Sequence, residues 1–63
     1  MKPGEVFIVS HLVDGQYRQV CETTAERIVS NERAVQGVQY RHKKTYAQMT
    51  RDEILIKMIY EED

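Results

Sequence analysis

Cysteine is nearly missing. Cys21 is the chain's whole supply of thiol, so no disulfide can close within it, and a reducing cytoplasm is the expected setting. Long apolar runs are also missing: the longest, "VFIV", is far too short for a membrane span or a signal-peptide core. Gly4, Gly15 and Gly37 stand alone, which leaves no glycine-rich loop to cradle phosphate. Besides Cys21, the soft metal ligands are His11 and His42, and no CxxC or HxxxH spacing joins them. A zinc site is therefore not expected. The formal net charge of −1 excludes a nucleic-acid binder or a DNA mimic that works by bulk charge. Carboxylates gather at Glu61, Glu62 and Asp63, at an end expected to fray, and otherwise in a scatter over a helix surface. Neither is the buried, differently perturbed pair that acid–base catalysis needs. No repeat, low-complexity tract or linker divides the chain. These absences argue against an enzyme, and no cofactor is expected.

What is present suits one small folded domain. The chain has 63 residues, 41% hydrophobic and 30% charged, a balance that favours folding over disorder. So short a chain builds only a marginal core and needs another source of stability, for which self-association is the usual choice. A homodimer is the expected state.

The clearest structural signal is "EVFIVSHLV", then "DG", then "QYRQVCE". Asp-Gly between β-branched and aromatic runs specifies a tight hairpin, because both central turn positions need positive φ. With Asp14 and Gly15 in the turn, Val13 faces Gln16. One face then carries Val6, Ile8, Leu12, Tyr17 and Cys21. The other carries Phe7, Val9, Val13 and Val20 among His11, Arg18 and Glu22. The first strand is apolar on both sides, so both sides are expected to be covered. Cys21 reads as a small core residue, with His11 on the opposite face.

A helix over residues 24–36 should follow. Thr23 and Glu26 have capping-box spacing. Ala25, Ile28, Val29, Glu32 and Val35 form a stripe flawed at Glu32, and Gly37 stands where a glycine would stop the helix.

The stretch "VQYRHKKTYAQM" then suits a third strand beside the hairpin, with the lysines marking an edge. Its six residues Tyr40, Arg41, His42, Lys43, Lys44 and Tyr46 also form a candidate nucleic-acid strip, cations holding a backbone while rings accept bases. Residues 38–51 carry Arg41, Lys43, Lys44 and Arg51 with no acid. Residues 52–63 carry Asp52, Glu53, Glu61, Glu62 and Asp63 against Lys57. Such opposed blocks can pair within a chain, pair across a dimer, or present two faces to a partner.

"TRDEILIKMIYEED" reads as helix or strand. Thr50 with Glu53 is a second capping box, and Ile54, Leu55, Met58 and Ile59 would make a helical stripe. As a strand, Ile54, Ile56, Met58 and Tyr60 would share a face. Either way the segment is more apolar than one contact needs. Ile54, Ile56, Met58, Ile59 and Tyr60 are the candidate protein-binding residues.

The expected class is α+β: a β-hairpin, a helix and a third antiparallel strand (ββαβ), with a C-terminal helix or strand. "DGQY" at the hairpin and "TRDEILIK" near the end resemble stretches of the short bacteriophage inhibitors of uracil-DNA glycosylase. Those proteins are dimers of a hairpin, a helix and a final strand, and they mimic DNA. The resemblance implies a small phage-type inhibitor acting in the host cytoplasm, in host takeover or anti-defence, and assigns no residue roles. The basic "YRHKK" block and the near-zero net charge depart from DNA mimicry. Sequence alone thus leads to a non-enzymatic protein that binds and inhibits or redirects another protein. The alternatives are a nucleic-acid-binding regulator using the basic strip and a purely structural subunit.

Overall fold

The computed structural model describes residues 1–31 and 35–60. Four strands form one antiparallel sheet: β1 (Val6–Val13), β2 (Gln16–Thr24), β3 (Val38–His42) and β4 (Gln48–Met49), in the order β2-β1-β3-β4. Two helices, α1 (Ala25–Val29) and α2 (Arg51–Tyr60), pack on each other over one sheet face. The class is α+β, with hairpin, helix and strand in the expected order and a helix at the end.

The hairpin turns at Asp14 (φ 51°) and Gly15 (φ 77°), and Val13 pairs with Gln16 as the sequence dictates. Further along, β2 departs from simple alternation. Val9 pairs with Cys21 but Ser10 pairs with Gln19, so Val20 is an extra, bulged residue. A bulge reverses the facing of everything beyond it. Cys21 therefore shares the face of Val9, not that of Ile8, and Glu22 lies opposite Ile8.

The core forms where β1 and β3 run side by side beneath the helices. Phe7, Val9, Tyr40 and Met49 from the sheet meet Ala25 and Ile28 of α1 and Ile54 of α2. Phe7, Ile28 and Ile54 are fully enclosed, each contributing about 1.5–3 kcal/mol by burial.

Three expectations change. First, α1 is shorter than the span 24–36. Its N-cap is Thr24, whose hydroxyl accepts from the Arg27 amide at 3.4 Å, while Thr23 stays in β2 opposite Phe7. The Ser30 hydroxyl donates to the Arg27 carbonyl at 2.7 Å, taking the acceptor that another helical turn would use. The Arg51 guanidinium then donates to the carbonyls of Val29 (3.0 Å) and Asn31 (2.6 Å), closing that end. Val35 is exposed outside the helix, and Glu32 lies outside the described residues. Gly37 (φ 75°) turns the chain into β3 and does not cap a helix; its carbonyl accepts from the Leu12 amide at 2.8 Å.

Second, β3 is not an edge. β4, only two residues long, pairs along its other side through Tyr40–Met49 and Arg41–Gln48. Third, nothing among the described residues covers the second face of the hairpin. Leu12 and Tyr17, directly opposite one another, remain exposed there.

Candidate interaction surfaces

The segment read as helix or strand is a helix, and its start is secured by the expected capping box. The Glu53 amide donates to the Thr50 hydroxyl at 3.2 Å, and the Thr50 amide donates to the Glu53 carboxylate at 3.3 Å. Helical geometry divides the five candidate residues between two sides. Ile54 is fully buried and Met58 packs partly on the core, so these two hold α2 to the sheet. Ile56, Ile59 and Tyr60 are 54%, 56% and 80% exposed. Their i, i+3, i+4 spacing makes one outward apolar stripe, and Glu53 and Lys57 border a shallow depression beside it.

The basic segment is likewise divided. Tyr40 and His42, on alternate positions of β3, point into the core at 8% and 6% exposure. Burial pushes the Tyr40 hydroxyl above its ordinary value of 10.0, the nearby Arg51 cation pulling the other way. Arg41 is on the opposite face, exposed. Lys43 and Lys44 are exposed in the turn after β3, and Tyr46 is exposed with φ 60°. The strip therefore presents Arg41, Lys43, Lys44 and Tyr46 to solvent, while its other two rings belong to the core. Lys43 ion-pairs with Glu22 of β2 at 3.0 Å across the sheet.

His42 does structural work that its sequence position did not reveal. Its Nδ1 accepts from the amides of Lys44 and Thr45, both at 3.2 Å. Its Nε2 lies 2.7 Å from Oε1 of Glu5, so the neutral ring carries its proton on Nε2 and donates it to the carboxylate. The imidazole stands edge-on to Phe7, with centroids 5.1 Å apart. Hydrogen bonding to His42 holds the Glu5 carboxyl below its ordinary value, assisted by the Lys2 amide and opposed by burial.

Cys21 is exposed, correcting its assignment to the core. The bulge pairs it with Val9 and so puts it on the same sheet face, but it is not among the residues of the core. No group of three or more His, Cys, Asp or Glu among the described residues could hold a metal. No described helix is long and apolar enough to cross a membrane. No protein-family model, curated protein or solved structure matches this chain.

Proposed function

We propose that this chain is a non-enzymatic binding protein that engages a second protein through the outward face of α2 and inhibits or redirects it by occupying its surface. The observation that carries this reading is the stripe of Ile56, Ile59 and Tyr60, three large side chains left in water on a helix whose other side is already anchored by Ile54. A ten-residue helix needs one apolar side to stay attached. A second side has no role in the fold, and exposed apolar surface of this kind marks an association site. Self-pairing of the stripe across a two-fold axis would make the homodimer that so small a core favours. The resemblance to phage inhibitors points to the same mode of action, in the cytoplasm of a host cell, where an exposed Cys21 stays reduced.

Affinity capture tests the reading, with the parent protein and an Ile56→Asp, Ile59→Asp variant compared in nuclease-treated lysate. A stoichiometric protein retained by the parent and lost by the variant supports it. Retention only before nuclease treatment, or equal retention by both, overturns it.

A further inference from the structure

The lysines that the protein-binding reading leaves unused converge on a cleft. Residues 2–6 form one wall and residues 42–44 the other, enclosing about 630 Å³ open on one side. That volume falls within the range of small-molecule sites, roughly 300–1,000 Å³. We propose that this cleft binds a small organic anion: a phosphate monoester carrying an apolar body.

Both walls are fixed in advance. The segment 2–5 is held to the start of α1, the Ala25 amide donating to the Glu5 carbonyl at 2.9 Å and the Glu26 amide to the Pro3 carbonyl at 3.0 Å. The facing turn is held by the two amides on His42 Nδ1 and by the Lys43 amide, which donates to the Val6 carbonyl at 3.0 Å. A preformed cleft spares a ligand the cost of ordering loops.

Its charge is one-sided. Lys2, Lys43 and Lys44 line it, against the single carboxylate of Glu5. Glu5 is already committed to His42 at 2.7 Å and to the Lys2 amide at 2.9 Å. Lys43 leans away to Glu22. Among the described residues, neither Lys2 nor Lys44 has a carboxylate within ion-pair distance. Two lysines with no ion-pair partner among the described residues line one space, a composition that suits a dianionic head. Between them the walls are hydrocarbon, from Pro3, Val6 and the lysine stems, which suits an apolar body. A nucleic-acid strand would need its cations spread along a track; here Lys2 and Lys44 border a single cleft.

Phenyl phosphate is the probe, titrated into ¹⁵N-labelled parent protein and into a Lys2→Gln, Lys44→Gln variant, with inorganic phosphate and phenol as separate arms. The expected result is saturable shifts confined to the amides of Lys2, Gly4, Lys43, Lys44 and Thr45, with affinity falling about tenfold or more in the Gln variant. A Lys2→Arg, Lys44→Arg variant should retain binding. Unchanged shifts away from the cleft confirm that both variants fold. Phenol matching phenyl phosphate would reduce the site to an apolar patch. Inorganic phosphate matching it in parent and Gln variant alike would reduce it to surface ion binding. Shifts scattered over the molecule, or none, overturn the proposal as well.

Discussion

Nε2 of His42 and Oε1 of Glu5 lie 2.7 Å apart, joining positions separated by 37 residues in the chain. With Nδ1 occupied by two turn amides, the imidazole links the segment before β1 to the turn after β3. Glu5 in turn receives the Lys2 amide and, through its carbonyl, the Ala25 amide at the start of α1. One buried ring therefore organises both walls of the cleft.

The Glu5 carboxyl, held low chiefly by His42, sets a pH dependence. A carboxyl with a depressed value in the folded state stabilises the fold fully above its ordinary value of 4.5. That contribution is lost as pH falls through the depressed value. Glu5→Gln should be less stable than the parent at neutral pH and should lose less on acidification. Urea midpoints measured from about pH 3 to about pH 6 for both proteins test this. Parallel curves would show that Glu5 contributes nothing through its charge.

Gly15→Val places a β-branched residue at φ 77°. The strain should cost about 1–3 kcal/mol. In a domain of this size that lowers Tm by roughly 4–8 °C per kcal/mol. Calorimetry showing an unchanged Tm would contradict the turn geometry.

Ile54 and Ile56, two residues apart on α2, should respond oppositely. Ile54→Asp puts a carboxylate in the fully enclosed core position, at a penalty of several kcal/mol, and should unfold the chain. Ile56→Asp with Ile59→Asp changes half-exposed side chains and should leave circular dichroism near that of the parent. Sedimentation equilibrium should show the parent associating and the double variant monomeric. A parent that stays monomeric at high micromolar concentration would remove the homodimer.

The solvent-facing cations of the basic segment give a separate test of nucleic-acid binding. Replacing Lys43 and Lys44 by Ala should weaken any binding and flatten its log–log salt dependence by roughly 1.4–1.8, according to strand type. Tyr40→Phe should leave that slope unchanged, since the ring is in the core. Anisotropy at two salt concentrations decides, and no binding by the parent at low salt eliminates the strip.

Where local chemistry decides a feature, the sequence reveals it. Asp14-Gly15 specifies its turn, and Thr50 with Glu53 specifies the start of α2, because each motif satisfies its own backbone. What the sequence conceals depends on distant partners. Arg51 closes α1 from the far end of the chain, so a longer apolar stripe misleads. Val20 is bulged by the fit of β2 against β1, and alternation counted through it puts Cys21 and Glu22 on the wrong faces. Tyr40 and His42 lie inside because alternate positions of β3 face the side of the sheet that the helices cover, and the two-residue β4 that removes β3 from the edge is too short to leave a periodic signal. In the cleft, the lysines of the turn are conspicuous in the sequence, but Lys2 and Glu5 acquire meaning only when β1 carries them alongside His42.

The central place of β1, between β2 and β3, has a kinetic consequence. β1 and β2 meet across a two-residue turn, whereas β1 reaches β3 only after closure of the long segment that contains β2 and α1. Closing that loop costs chain entropy before any pairing repays it. The hairpin should thus assemble first and template the later pairing. Gly15→Val should act mainly by slowing refolding, and truncation of Met58 in α2 mainly by accelerating unfolding. The two arms of a chevron plot would then report the two halves of this small protein separately.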